Sequence, residues 1–379
     1  MMQSAEHLHP GLYIHIPFCL SKCHYCNFYS VTSTELSPRF LEALLREVKQ
    51  TPKDWDPFDT IYIGGGTPSI LAPDQLQSIL AHVHENFPSL PGTEVTLEMN
   101  PGDLNLSCLQ ELREIGVNRL SIGVQSFDDT ILSLLGRRHT ARQAISAIEN
   151  SRLAGFENIG LDLIYAIPGQ GLRPWKKTLH QALAFSPEHL SCYQMTIEGD
   201  TALGKRYQKG ELQFPGEKLL YDFFMKTSEW LEEAGYLHYE VSNFARTLDL
   251  ASRHNQKYWN HTPYLGLGPG AHSFRERERW WNHSSLSRYL SEIESDRSPV
   301  AAKEILTDEQ RQLEALFLGL RTKKGISLRN FAEEYHFDLL AEKKDLLHQL
   351  RKDGFLLIDN DHLVPTRAGL AVADRLALI

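Results

Sequence analysis

The chain has 379 residues, 42% of them hydrophobic and 23% charged, the balance of a soluble globular protein of roughly two or three domains. Its 39 Lys and Arg against 48 Asp and Glu give a formal net charge of −9, which argues against nucleic-acid binding because that needs a basic footprint. Residues 1–11 lack the apolar stretch of a signal or transit peptide, and no apolar run reaches the length of a membrane span. The expectation is a cytoplasmic protein whose thiols stay reduced, with a peripheral membrane contact left open. An odd count of 5 Cys in so long a chain is no disulfide framework.

In chain order, strand-like runs at 12–16, 59–63, 93–98, 119–124, 158–164 and 188–195 alternate with helical patterns at 38–50, 73–87, 106–115, 140–154 and 173–184. Strict alternation implies parallel strands with right-handed crossovers, in a doubly wound sheet or a full or partial barrel. The first run is followed at once by Cys19, Cys23 and Cys26 in the spacing C-x3-C-x2-C. Three thiolates on one short loop can hold three irons of a [4Fe–4S] cube and leave the fourth open to a small molecule, whereas storage clusters normally take four cysteines. Structural zinc would need a second cysteine pair, and none follows. Cys108 and Cys192 stand alone and read as small core hydrophobes; His24 reads as a spacer within the loop.

Unusual residues recur where later strands end. Gly64, Gly65, Gly66 and Thr67 follow the second run, without the Lys-Ser/Thr of a phosphate loop, and let a backbone approach a ligand closely. Glu98 lies at the end of the third strand, Gln125 ends the fourth, and Asp162 lies inside the fifth. A carboxylate there is costly without partners and suits a ribose or a ligand amino group. Arg137 could meet a ligand carboxylate or simply cap a helix end. Such features at successive strand ends are what a barrel-type active face produces, so a partial barrel is the expected core over residues 1–200.

Residues 201–300 are less regular, with a helix at 216–234, a strand from Tyr236 to Val241 and an aromatic, histidine-rich loop. The alternating charges Arg275 to Arg279 read as a solvated turn. From 301 to 379, helices at 307–322, 327–334 and 338–353 precede a hairpin turning at Asp359 to Asp361. Helices followed by a hairpin suggest a small winged-helix-like α+β domain, a lid or docking module in a chain without a basic surface.

Together the motifs Y-I-H-I-P-F-C-x3-C-x-Y-C, G-G-G-T-P-S, G-V-Q-S-F and D-L-I-Y-A-I-P-G resemble the radical S-adenosylmethionine superfamily, in the branch of the oxygen-independent coproporphyrinogen III oxidase. The likeness spans about residues 11–379 and implies a partial (β/α)6-type barrel. It implies Cys19, Cys23 and Cys26 as ligands of a [4Fe–4S] cluster. The open iron of that cluster would chelate S-adenosylmethionine and deliver the electron that cleaves it to a 5′-deoxyadenosyl radical. Tyr13, Tyr25, Gly65, Gly66, Thr67 and Glu98 match positions lining the S-adenosylmethionine site, and Gln125, Arg137 and Asp162 match a neighbouring part of the same pocket. One departure is informative: the oxidase pattern has a fourth cysteine where this chain has Phe28.

The stretch Arg253-His254-Asn255-Gln256-Lys257-Tyr258-Trp259 matches the H-N-x-x-Y-W signature of the heme chaperone subgroup HemW. That subgroup implies heme as ligand and hemoproteins such as membrane respiratory enzymes as recipients; the oligomeric state stays open, with a homodimer as one arrangement. Histidine is a standard axial ligand of heme iron, so His254 is the candidate heme residue, with His261 and His272 in reserve. The runner-up expectation is the decarboxylating oxidase itself; a plain iron–sulfur electron carrier would leave Gly64 to Thr67, Glu98 and Asp162 without a task.

Overall fold

The computed structural model describes residues 8–376; the reading of the N-terminus as free of a targeting segment falls in part on residues 1–7, outside the described residues. The first stretch alternates β1 (Gly11–Ile16), α1 (Ser37–Gln50), β2 (Phe58–Gly65), α2 (Pro73–Asn86), β3 (Ser89–Met99), α3 (Leu106–Glu114), β4 (Arg119–Gln125), α4 (Asp129–Leu134), α5 (Ala141–Leu153) and β5 (Ile159–Tyr165). There follow α6 (Leu172–Leu183), β6 (His189–Gln194), α7 (Ala202–Gln208), α8 (Glu217–Glu233), β7 (Leu237–His238), β8 (Asn243–Ala245) and α9 (Arg253–Trp259). Next come β9 (Tyr264–Leu267), β10 (His272–Arg275), β11 (Glu278–Asn282), α10 (Leu286–Glu294) and β12 (Val300–Ile305). The last are α11 (Asp308–Gly319), β13 (Ile326–Ser327), α12 (Leu328–Tyr335), α13 (Leu339–Glu342), α14 (Lys344–Lys352), β14 (Leu356–Asp359), β15 (His362–Pro365), α15 (Arg367–Leu370) and α16 (Ala373–Leu376).

The chain divides into two compact units: Met1–Asp162, Thr196–Leu212 and Thr262–Ile305 form one, and Leu163–Met195, Gln213–His261 and Leu306–Ile379 the other. In the first, strands lie in the order β12-β11-β10-β9-β1-β2-β3-β4. The β9-β1-β2-β3-β4 centre is parallel and the pairings from β9 out to β12 are antiparallel. This open, mostly parallel α/β sheet agrees with the expected fold class. Its helices follow from patterning: α1 buries Phe40, Ala43, Leu44 and Val48, and α2 buries Leu76, Ile79, Leu80 and Val83, one stripe of each helix at the 3.6-residue period. Pro73 occupies the first turn of α2, where its missing N–H costs nothing.

Register is what assembles the site. His15 pairs with Gly64 and Ile16 with Gly65; Ile63 pairs with Leu97, and Glu98 with Ser121. The C-terminal ends of β1, β2, β3 and β4 therefore lie side by side, and the segments leaving them share one edge.

In the second unit β6, β8 and β7 pair antiparallel, and β13-β15-β14 form a small sheet over a core that includes Leu316, Leu320, Phe331, Leu347 and Leu356. The helix–strand–helices–hairpin order matches the winged-helix-like expectation. Two sequence expectations need correction. The single strand Tyr236 to Val241 is instead cut to β7, with β8 starting only at Asn243, because the chain turns after His238: Glu240 makes an isolated bridge to Thr322, and Val241 N–H donates to Arg321 O at 2.9 Å. The helix at 338–353 breaks at Lys343, whose φ of −116° leaves the helical region. The short helices α4 and α7, of 6 and 7 residues, were too brief to leave a periodic signal.

Candidate functional site

The cysteine loop leaves β1 at Pro17 and is pinned back onto the fold: Cys19 N–H donates to Val31 O at 2.9 Å, Val31 N–H to Pro17 O at 2.7 Å, and His24 N–H to Leu135 O at 2.9 Å. His24 Nδ1 lies 2.9 Å from Leu134 O, so this ring secures the loop. Cys19 is buried and Cys23 and Cys26 half-buried, all three as free thiols. Phe28 is 70% exposed, so the ring at the departing position packs into no core.

Glycine is required where β2 meets the loop. A Cβ on Gly66 would stand 2.6 Å from Phe18 O and 3.0 Å from Ile16 O, both backbone atoms. Gly65 takes φ +110°, and a Cβ there would strike the His15 ring at 2.6 Å. The His15 ring is itself fixed, with Nδ1 3.0 Å from Tyr13 Oη and Nε2 3.1 Å from Tyr29 O. Burial lowers its pKa to about 4, with the Tyr29 carbonyl opposing, so it stays neutral.

Glu98 accepts from Tyr62 Oη at 2.7 Å and from Gly65 N–H at 3.1 Å. It keeps some solvent contact, yet burial raises its pKa to about 7; the Tyr62 hydrogen bond opposes this, the Asp162 charge adds to it, and the Gly65 amide opposes it again. A cationic amino group brought here would find a carboxyl ready to ionise. Asp162 accepts from Ser121 Oγ at 3.2 and 3.0 Å. Gln125 ends β4 buried, at φ +61°, a left-handed conformation uncommon for glutamine and frequent at functional positions.

Arg137 is no solvated helix cap. Its Nη1 donates to Cys23 Sγ at 3.4 Å and its Nη2 to Gly123 O at 2.7 Å and to Asn100 Oδ1. Its Nε is shielded from solvent with no acceptor among the described residues, an open donor of the kind that a ligand carboxylate satisfies. Thr67 Oγ1 donates to Cys19 Sγ at 3.4 Å. Among the described residues no three His, Cys, Asp or Glu side chains converge on a single metal ion; a cube spreads its thiolates over three irons and needs no such convergence. The donor set, three free thiols on one loop beside an unpaired guanidinium N–H and a glycine turn, fits a [4Fe–4S] cluster with a small zwitterionic ligand.

Tyr13, Tyr25, Gly65, Gly66, Thr67, Glu98, Gln125, Arg137 and Asp162 all lie in the first unit with the cysteines. Asn100 and Ser121, which hold these groups, escaped the sequence reading; a lone asparagine or strand serine carries no signal. His254 lies in the second unit, on α9. It is only 1% exposed, and its Nε2 is 3.0 Å from Tyr258 Oη. His261 Nε2 lies 3.5 Å from Glu314, and the exposed His272 stacks on Trp281 at 5.6 Å. No helix among the described residues is long and apolar enough to cross a membrane.

Residues 13–182 match the family model described as Radical SAM superfamily, and residues 306–372 match the HemN C-terminal domain. The chain is 36% identical over 349 residues to the heme chaperone HemW of Bacillus subtilis, covering 91% of this chain and 92% of that one. It is 32% identical to a mitochondrial radical S-adenosyl methionine domain-containing protein 1 of Danio rerio, covering 96% and 85%. The structure of Escherichia coli coproporphyrinogen III oxidase (HemN), a radical SAM enzyme, superposes with a TM-score of 0.85 at 23% identity over 98% of this chain and 89% of that one, a likeness of fold.

Proposed function

The chain belongs to the HemW family of radical S-adenosylmethionine proteins, and from that premise we propose that it binds heme and passes it to hemoproteins. The observation that carries this reading is the 36% identity to a heme chaperone over nine-tenths of both chains; Phe28 in place of a fourth motif cysteine supports it. Cys19, Cys23 and Cys26 would hold the [4Fe–4S] cluster. When bound, the cluster supplies an open iron site and one-electron chemistry to S-adenosylmethionine. Around it, Glu98 would accept from the ligand's amino group, and Arg137 Nε would donate to its carboxylate. Gly65 and Gly66 let backbone approach the ligand, and Tyr13 and Tyr25 supply aromatic surface.

His254 is the heme residue in this reading, and residues 1–200, 201–300 and 301–379 are its core, heme-binding extension and docking module. With His254 buried against Tyr258, ligation requires the hydroxyl to leave Nε2 and α9 to expose the ring. Membrane respiratory enzymes as recipients, a peripheral site at the inner face of the membrane, and a homodimer are narrower proposals supported by the family resemblance.

The test is anaerobic cluster reconstitution followed by heme titration at the Soret band and an assay of coproporphyrinogen decarboxylation, with His254→Ala and Tyr258→Phe beside the parent. Heme uptake is expected in the parent, loss in His254→Ala, and faster association in Tyr258→Phe, which removes the hydroxyl that faces Nε2. Robust decarboxylation without heme uptake would instead make the protein an oxidase, and undiminished uptake by His254→Ala would move the ligand elsewhere.

A further inference from the structure

Two of the three cysteines are tied together by a continuous run of side-chain hydrogen bonds. Thr67 Oγ1 donates to Cys19 Sγ at 3.4 Å, Asn100 Nδ2 donates to Thr67 Oγ1 at 3.2 Å, and Arg137 donates through Nη2 to Asn100 Oδ1 and through Nη1 to Cys23 Sγ at 3.4 Å. With Cys19 as the thiolate that binds a cluster, the direction of each bond is forced. A hydroxyl has one hydrogen, and with that hydrogen on Cys19 the Thr67 oxygen can only accept. Asn100 must then present its NH2 to Thr67 and its oxygen to Arg137, which has donors alone. No other side chain of this size offers an acceptor and a donor in one planar group without first taking up a proton. The backbone of Asn100 is seated as well, its N–H donating to Ser69 Oγ at 3.1 Å while Ser69 donates to Asp103 at 2.9 Å.

We propose that Asn100 is a positioning residue for the [4Fe–4S] cluster, setting Cys19 through Thr67 and Cys23 through Arg137 and tuning the cluster through the hydrogen bonds that reach their sulfurs. The proposal rests on the assignment of these cysteines as cluster ligands and assigns Thr67 and Arg137 a task separate from contact with S-adenosylmethionine. Hydrogen bonds to ligand sulfurs are among the determinants of a cluster's reduction potential, and partners behind the ligands orient them. Asn100 hydrogen-bonds to Thr67 and Arg137, so its influence would pass through these two neighbours.

The experiment compares the parent, Asn100→Ala, Thr67→Val and the double variant, all reconstituted anaerobically without S-adenosylmethionine. It reads iron and sulfide per chain, the rate of cluster assembly, and the reduction potential from an electron paramagnetic resonance titration, with circular dichroism to establish folding. Asn100→Ala should assemble its cluster several-fold more slowly and poise it at a more negative potential. The double variant should shift little further than the larger single change, because both substitutions break one chain. A parent-like potential and assembly rate in Asn100→Ala, or fully additive shifts in the double variant, would overturn the proposal while the cluster assignment stands. A parent protein that takes up no [4Fe–4S] cluster would overturn both.

Discussion

Glu47 shows what a single buried carboxyl does to this molecule. It lies on the inner stripe of α1, 4% exposed, and accepts from Asn282 Nδ2 at 2.6 Å, Tyr289 Oη at 2.7 Å and Gly268 N–H at 2.8 Å. Burial raises its pKa to about 7, against the three donors, so the folded state prefers the protonated form. A carboxyl raised in this way stabilises fully below its unfolded value near 4.5 and loses that contribution as pH climbs through about 7. At about 1.4 kcal/mol per pKa unit, the loss is on the order of 3 kcal/mol. Glu47→Gln forfeits one hydrogen bond at every pH but does not ionise. Its melting temperature relative to the parent should therefore rise from pH 5 to pH 8; thermal scans giving a constant difference would show that Glu47 does not titrate in that window. The sequence offered no warning of Glu47, a glutamate on an otherwise apolar helix stripe. Asn100 was equally silent, since its value lies in two neighbours brought from the turn after β2 and from the segment after α4. The cysteines were legible because their spacing alone defines their chemistry.

Among elements, the parallel β1–β4 core was legible to within a residue or two at most boundaries, because strand and helix periods alternate cleanly and Gly or Pro marks the exits. The elements around 236–245 were not, since β8 pairs with β6, earlier in the chain, while Glu240 and Val241 are held by Thr322 and Arg321, far later in it. The junction of β2 with the cysteine loop gives the clearest element-scale prediction. Gly66→Ala places a methyl against the carbonyl oxygens of Phe18 and Ile16, which are backbone and cannot swing aside. The end of β2 must withdraw from the loop, so reconstituted Gly66→Ala should retain several-fold less iron and melt a few degrees lower, by about 1–3 kcal/mol. Full iron retention, measured colorimetrically after desalting, would show that the loop does not need that approach.

At the scale of the molecule, each compact unit gathers stretches far apart in the chain. Within the second unit, Val241 N–H donates to Arg321 O at 2.9 Å and Lys323 N–H to Tyr239 O at 3.0 Å, so residues 239–241 are secured by the segment after α11. Leu320, 0% exposed, anchors that segment in its core. Leu320→Ala should cost about 2–5 kcal/mol and speed hydrogen exchange at the amides of Val241 and Lys323, with β1 in the first unit as the internal reference. Unchanged exchange at those two amides would disconnect the core from the stitch.

Cys19, Thr67, Asn100 and Gln125 stand at or just past the ends of β1 to β4. Inside a strand, a one-residue slip turns every side chain to the opposite face, whereas a connecting turn gains or loses residues at little entropic cost. The frame and the reactive edge are therefore inherited under different rules. Lineages can rewrite the turns one at a time over an unaltered scaffold, and a position such as Phe28 can trade a thiol for a ring without asking any strand to move.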